Sequence, residues 1–217
     1  MKRPYVIINC AMSADGKIAL PTKNQIRISS DEDIERMYKL RNECDAVLVG
    51  VGTILADDPK LTVKEKYVKK PNQPIRVILD TNCKTPENAL AVNEKAKTLI
   101  FTSNECKKNY NKNVEIVKCR TDKDGLIELK EMLEILFQKG IKKLMIEGGG
   151  TVIWNFLKQG FVDVLYVYVG PIIIGGKDTP TLADGDGIFD EKEKIKLEFA
   201  DMKKLGEGIL IHYKMIK

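Results

Sequence analysis

Residues 141–160, IKKLMIEGGGTVIWNFLKQG, are the stretch that decides the fold. A short apolar strand pattern leads into Glu147-Gly148-Gly149-Gly150-Thr151, and an apolar helical pattern follows at once. Successive glycines leave no Cβ to hold a ligand away from the backbone, and the N–H groups at a helix N-terminus favour an anion. The stretch therefore predicts a phosphate-binding turn between a strand and a helix.

This turn differs from the common dinucleotide-binding motif and carries an acidic residue. Its glycines lack the GxGxxG spacing, so a standard Rossmann fingerprint is not predicted. The carboxylate of Glu147 would repel a phosphate, which suits it better to hydrogen-bond hydroxyl or N–H groups of a second ligand. The alternative is a glycine-rich connection with a solvated glutamate.

Composition limits the class of protein. The 217 residues, 43% of them hydrophobic, are enough for one α/β domain spanning residues 1–217. No uncharged apolar run reaches the roughly 18 residues of a membrane span, and the first residues do not resemble a signal peptide. Five scattered cysteines and a single histidine, His212, predict neither a metal site nor a disulfide framework. We therefore expect a cytoplasmic protein that uses no membrane and no metal.

The charged residues favour a small anionic ligand over nucleic acid. Lys and Arg number 36 against 31 acidic residues, which gives a net charge of +5. The basic residues are spread along the chain, whereas nucleic-acid binding requires clustered basic and aromatic residues. A mildly positive charge suits a phosphorylated small molecule.

Strand and helix patterns alternate along most of the chain. Ser30 and Asp33 have capping-box spacing before one helix, and a second helix over 128–139 is expected to end at Gly140. The tail contains only strand patterns, VDVLYVYVGPII, IKLEFADMKKL and GILIHYKMI. We predict a mostly parallel central sheet with an antiparallel C-terminal addition and helices on both faces. The other strands are predicted at 4–11, 45–50, 75–80, 97–102, 113–118 and 143–147.

Polar or glycine-rich segments follow three of these strands, where open α/β sheets place ligands. They are Ala11–Ala19, Val49–Pro59 and Leu79–Asn82. Ordinary turn chemistry is the alternative for each one taken alone. Together with the glycine turn they predict a binding site, in which Thr53 and Asp57, four residues apart on a helix, would face the same ligand. Gly50 and Asp80 are further cofactor-binding candidates.

Taken together, these segments resemble the reductase family of riboflavin biosynthesis. The motifs are AMSADGKIA, DAVLVGVGTILADDPKLTVK, PIRVILD, IEGGGTVIWNFL and VDVLYVYVGPIIIGG, and they cover nearly the whole chain. The resemblance implies a dihydrofolate-reductase-like fold, NADPH as hydride donor (NADH being possible) and a homodimer. The zinc-dependent deaminase that accompanies the bacterial reductases needs H-x-E and P-C-x-x-C motifs, which this chain lacks.

The resemblance also implies roles for particular residues. Two departures from bacterial relatives concern the substrate: Arg27-Ile28-Ser29 replaces a Trp-Ile-Thr segment, and Lys64 stands where an arginine is expected to meet a ribose phosphate. Lysine can neutralise a phosphate but lacks the bidentate fork of arginine, which Arg27 is a candidate to supply. The family's cofactor contacts fall on Ala11, Thr53, Asp57, Thr81, Gly148, Gly149, Gly150, Thr151 and Val152, and its substrate contacts on Gln25, Leu61, Lys64 and Glu147.

The implied reaction is the reduction of a ribosylamino group on a pyrimidine 5′-phosphate to the ribitylamino form. Hydride would reach C1′ of the ring-opened imine, so the protein needs positioning groups rather than a nucleophile. Glu147 is expected to orient the substrate and to assist proton transfer, whereas His212 is expected to be structural. Two alternatives remain open: a dihydrofolate-reductase-type pterin reductase, and a nucleotide-binding module without enzyme activity.

Overall fold

The computed structural model describes residues 1–216, which contain nine β-strands, four α-helices and two short 3₁₀ turns. The strands are β1 Tyr5–Ser13, β2 Ala46–Gly50, β3 Ile75–Leu79, β4 Thr98–Thr102, β5 Val114–Lys118, β6 Lys143–Gly148, β7 Val164–Gly170, β8 Leu197–Leu205 and β9 Gly208–Met215. The helices are α1 Asp31–Glu43, α2 Val51–Asp57, α3 Leu129–Gln138 and α4 Gly150–Lys158, and the 3₁₀ turns are Leu90–Val92 and Glu191–Glu193. Every strand predicted from the sequence is present.

The chain divides into two compact units. The first comprises Met1–Tyr5 and Tyr38–Met145, and its strands follow the order β5-β4-β3-β2-β6. The pairs β2–β3, β3–β4 and β4–β5 are parallel, and β2 and β4 are buried along their whole length. Because these strands run in the same direction, their carboxyl ends lie at one edge of the sheet, and two of the turns predicted to bind ligand follow them there.

The second unit comprises Val6–Met37 and the chain from Ile146 to the end of the described residues. Its strands follow the order β1-β7-β9-β8, in which β1 and β7 are parallel while β7–β9 and β8–β9 are antiparallel. The prediction of a mostly parallel α/β fold with an antiparallel C-terminal addition is confirmed. That residues 1–217 form a single reductase domain stays a prediction.

The ends of two helices follow the sequence signals. The hydroxyl of Ser30 accepts a hydrogen bond from the backbone N–H of Asp33 at 3.2 Å, as an N-cap does. The Asp33 carboxylate does not complete a capping box but accepts from the Ser29 hydroxyl at 2.6 Å and from Arg36. Gly140 has φ 86°, and its N–H donates to the carbonyl of Phe137, so it ends α3 as predicted.

The expectation that the cysteines form no disulfide is wrong for one pair. Cys83 and Cys106 are joined by a disulfide, with their Cα atoms 5.5 Å apart. Cys83 follows β3 and Cys106 follows β4. Because these two parallel strands are adjacent, the two cysteines are neighbours although they lie 23 positions apart in the sequence. Scattered spacing concealed the pair because strand order, not spacing, decides which loops are neighbours. The other cysteines, Cys10, Cys44 and Cys119, are buried.

Removing this disulfide is expected to destabilise the protein. For a loop of this length, Cys83→Ser with Cys106→Ser should lower the free energy of unfolding by about 3 kcal/mol, since the cross-link restricts the unfolded chain. Denaturant titration of the variant and the parent measures the difference. Thiol titration of the unfolded parent without reductant should detect only the remaining cysteines, and detection of all of them would contradict the pairing.

Candidate functional site

The glycine turn leaves the N-terminus of α4 without a side-chain cap. Gly149 precedes α4 with φ 82° and ψ 109°, a conformation that favours glycine, and it offers no side-chain cap. The first turn of α4 contains no acidic residue. Gly148 and Gly150, on either side of Gly149, are buried. The backbone N–H groups at the start of α4 therefore form an end that suits an anion.

The residues of α4 differ in burial between its apolar face and its first turn. Its apolar residues Ile153, Trp154, Phe156 and Leu157 are buried. Thr151 is exposed and Val152 is half-buried, so these two predicted cofactor contacts lie outside the packed face of the helix. Glu147, at the end of β6, is half-buried. The predicted role of Glu147 in orienting the substrate stays a prediction.

The segment after β1 is organised by an aspartate rather than left as a loose turn. The Asp15 carboxylate accepts hydrogen bonds from the Ser13 hydroxyl at 2.5 Å, from the N–H of Gly175 at 2.7 Å and from that of Ile174 at 3.1 Å. These bonds, the one from Ser13 first, lower the pKa of Asp15 to about 2. Ala11 lies within β1 and is half-buried.

The segment before α1 carries two predicted substrate residues, Gln25 and Arg27, both exposed. The Arg27 guanidinium donates to a carboxylate oxygen of Asp31 at 2.8 Å and to the carbonyl of Ser29 at 3.3 Å. These bonds hold the side chain against the start of α1. Its role in substrate binding stays a prediction.

In the first unit, α2 begins directly after β2. Gly50 precedes the helix with φ −81° and without a side-chain cap. Thr53 and Asp57 are both half-buried and lie one helical turn apart, as predicted from their spacing. The candidates Gly50, Thr53 and Asp57 are therefore at the carboxyl end of β2, while their contact with a cofactor stays a prediction.

Asp80, which follows β3, is completely buried and shapes its own turn. Its carboxylate accepts from the backbone N–H groups of Lys84 at 2.8 Å and Thr85 at 2.6 Å and from the Thr85 hydroxyl at 2.7 Å. The carbonyl of the next residue, Thr81, accepts from the hydroxyl of Thr102 at 2.9 Å. These hydrogen bonds fix the turn that contains Thr81. The Asp80 carboxylate therefore stabilises this turn.

The predicted substrate residues Leu61 and Lys64 differ in exposure. Leu61 is 1% exposed and has φ 50°, so only its backbone is available for a contact. Val63 is held on both sides by Gln73, whose amide accepts from its N–H and donates to its carbonyl. Lys64, the residue after Val63, is exposed.

A second cation beside Lys64 was missed from the sequence. The Lys64 ammonium lies 5.3 Å from the ring centre of Tyr38, and the Arg41 guanidinium lies 5.2 Å from the same centre. Tyr38 stacks on Tyr67 at 4.7 Å, and Arg41 donates to the carbonyl of Thr62 at 2.9 Å. The spacing of Tyr38 and Arg41, three residues apart on α1, was a usable signal.

His212 lies within the sheet of the second unit. It pairs with Tyr166 in the β7–β9 register, and the two rings stack at 4.6 Å. Burial, followed by the nearby Lys214, lowers the pKa of His212. This packing agrees with the structural role expected from the sequence.

Residues 1–216 also bear on two other kinds of site. No helix there is long and apolar enough to cross a membrane. Over the same residues, no group of three or more His, Cys, Asp or Glu side chains is placed to hold a metal ion.

Solved structures of similar fold define the class of protein. The deaminase/5-amino-6-(5-phosphoribosylamino)uracil reductase of Thermotoga maritima superposes with a TM-score of 0.83 at 26% identity, over 99% of this chain and 57% of that one. The riboflavin biosynthesis reductase of Saccharomyces cerevisiae gives a TM-score of 0.80 at 22% identity, over 99% of this chain and 90% of that one. The dihydrofolate-reductase-like fold is confirmed.

Sequence relatives then identify the family. Residues 4–211 match the RibD C-terminal domain. The chain is 40% identical over 218 residues to the 2,5-diamino-6-ribosylamino-4(3H)-pyrimidinone 5′-phosphate reductase of Archaeoglobus fulgidus, covering 96% of this chain and 97% of that protein. It is also 40% identical over 215 residues to a protein of the same name from Methanothermobacter thermautotrophicus, covering 97% and 98%. The chain belongs to the RibD C-terminal domain family and is an oxidoreductase.

Proposed function

We propose that this protein reduces 2,5-diamino-6-ribosylamino-4(3H)-pyrimidinone 5′-phosphate to the ribitylamino form with NADPH. Two archaeal relatives of that name match nearly the full chain at 40% identity, and this observation carries the proposal. The reaction balances as the addition of a hydride to C1′ of the ring-opened imine and of a proton to its nitrogen.

The residues present suit a dinucleotide. The N-terminus of α4 has an uncapped Gly149 with φ 82° and no acidic residue in its first turn, which favours a diphosphate. Gly148, Gly149, Gly150, Thr151 and Val152 would hold this group. Thr53 and Asp57 on α2 stay candidates for a cofactor contact. NADPH, when bound, supplies the hydride.

The side chains of the protein then have to hold the substrate and move a proton. Glu147 stands one residue before the glycines, where its carboxylate can accept hydrogen bonds from ribose hydroxyls or an amine. Lys64 and Arg41 place two positive charges beside Tyr38, a suitable arrangement for a 5′-phosphate. Positioning of this kind can contribute about 7–11 kcal/mol to a reaction barrier.

Lys64→Ala is expected to raise the KM for the pyrimidine phosphate about ten- to a hundred-fold, because a charge-assisted hydrogen bond contributes about 1.5–3 kcal/mol. Steady-state kinetics measures this, and the Kd for NADPH should stay nearly unchanged. Lys66→Ala is the matched control, since the Lys66 ammonium lies over the neighbouring ring of Tyr67 at 5.1 Å. A normal substrate KM with weakened NADPH binding would assign Lys64 to the cofactor instead.

We also propose that the protein works as a homodimer. β8 ends the strand order of the second unit, and its side chains Phe199 and Met202 are 57% and 61% exposed. Exposed apolar residues on an edge strand favour association with another sheet. Sedimentation equilibrium should give the mass of two chains and Met202→Lys should reduce it, whereas a monomeric parent would contradict the proposal.

A simple assay separates this function from the two alternatives. NADPH oxidation that requires the ribosylaminopyrimidine phosphate supports the proposal. Oxidation driven by dihydrofolate would indicate a pterin reductase. NADPH binding without turnover of either compound would indicate a binding module.

A further inference from the structure

The segment Thr181–Asp186 passes close to the first residue of α4. A Cβ built on Gly150 would lie 2.5 Å from Oδ2 of Asp184 and 2.7 Å from the carbonyl oxygen of Thr181. A side chain at Gly150 would therefore displace the segment. The Asp184 carboxylate therefore lies beside Gly150, the first residue of α4.

Local hydrogen bonds orient this carboxylate. The backbone N–H of Thr181 donates to both oxygens of Asp184, at 3.0 and 3.2 Å, and the Thr181 hydroxyl donates to Oδ1. Gly149, which precedes α4, has no side chain to cap the helix. A negative charge near such an end is favourable because of the helix dipole.

The segment is fastened to α4 beyond Asp184. The Asp186 carboxylate accepts from the indole N–H of Trp154 at 2.8 Å and from the Lys158 ammonium at 2.6 Å. A Cβ on Gly185 would lie only 1.9 Å from Cδ1 of Trp154, so the backbone lies directly on that ring. These contacts keep Asp184 close to α4.

The segment is also held before Asp184. The N–H of Ile18 donates to the carbonyl of Pro180 at 3.0 Å, and the Lys17 ammonium donates to that of Thr179 at 3.4 Å. These contacts join the segment to the turn after β1. With an anchor on each side, the position of Asp184 is built into the fold.

We propose that Asp184 competes with the diphosphate of NADPH for the N-terminus of α4 and so weakens cofactor binding. The inference rests on the proposed function, since it takes NADPH as the ligand of this turn. Two negative groups at one helix end repel each other, so the bound cofactor must displace the carboxylate or tolerate the repulsion. Either effect raises the Kd for NADPH and speeds the release of the oxidised cofactor.

The test is a fluorescence titration of NADPH against the parent, Asp184→Asn and Asp178→Asn. Asparagine keeps an oxygen for the Thr181 N–H while removing the charge. At low ionic strength, Asp184→Asn is expected to lower the Kd about five-fold or more. The difference should shrink at about 1 M salt, where charges are screened. Asp178→Asn makes the same charge change at an exposed position of the preceding loop and should leave the Kd within about two-fold of the parent.

Three results would overturn the inference. The first is an unchanged or higher Kd in Asp184→Asn, and the second is an equal gain in Asp178→Asn, which would reflect net charge alone. In both, the parent still binds NADPH, so the proposed function survives. The third is a parent that binds neither NADPH nor NADH, which overturns both proposals. Melting curves of the cofactor-free variants confirm that each one is folded.

Discussion

Gly149→Val is expected to weaken NADPH binding roughly 100-fold, equivalent to the loss of about one or two charge-assisted hydrogen bonds. A branched side chain at this position would stand where a diphosphate approaches the backbone. The residue has φ 82°, so valine would also strain the turn by about 1–3 kcal/mol. Cofactor titration measures the first effect and denaturant unfolding the second.

A matched control separates these two effects. Gly140 has φ 86° and open space around it, so Gly140→Val introduces similar backbone strain at the end of α3. It should lower the free energy of unfolding while leaving the Kd for NADPH unchanged. Equal losses of binding in both variants would show that the glycine turn is only a connection.

Glu147→Gln is expected to lower turnover of the pyrimidine phosphate about ten- to a thousand-fold, the range for loss of a group that orients substrate and assists proton transfer. The substitution keeps the shape of the side chain and removes its charge. The Kd for NADPH should stay within about a few-fold of the parent, because the loss of one nearby charge has only a weak electrostatic effect on cofactor binding. Kinetics at saturating substrate together with cofactor titration measure both quantities.

Glu94→Gln is the control for the loss of one negative charge. Glu94 is exposed, and neither the sequence nor the structure assigns it to a site. Normal turnover in Glu147→Gln would remove this carboxylate from the mechanism and leave the reaction to positioning alone. Reduced turnover in both variants would indicate an effect of net charge.

Much of the fold was predictable because its signals are local. β-branched runs identified strands such as β2, and the Ser30 hydroxyl and Gly140 marked helix ends through contacts only a few residues away. The glycine turn was also predictable, since its conformation depends on residues with no Cβ. Signals of this kind need no knowledge of which strands are neighbours.

Features that depend on distant partners were not predictable. Arg76 sits in an apolar strand pattern, yet it is completely buried and donates to the carbonyls of Leu90, Asn93 and Ala96. A buried cation is tolerable only with such acceptors, and their position depends on the loop before β4. The Cys83–Cys106 disulfide was missed for the same reason.

The candidate site shows the same division. Asp80 was predicted as a ligand residue from its place after a strand, but its carboxylate serves the turn that contains Thr85. Asp184 had no sequence signal, because only the folded chain brings it beside Gly150. Strand-end position predicts where a site lies more readily than which atoms face the ligand.

The most direct test of the central claim is NADPH oxidation followed at 340 nm with the purified protein. We expect absorbance to fall only when 2,5-diamino-6-ribosylamino-4(3H)-pyrimidinone 5′-phosphate is added, and mass spectrometry to find a product heavier by two hydrogens. The absence of oxidation with that substrate, under conditions where the protein is folded and binds NADPH, would contradict the proposed function.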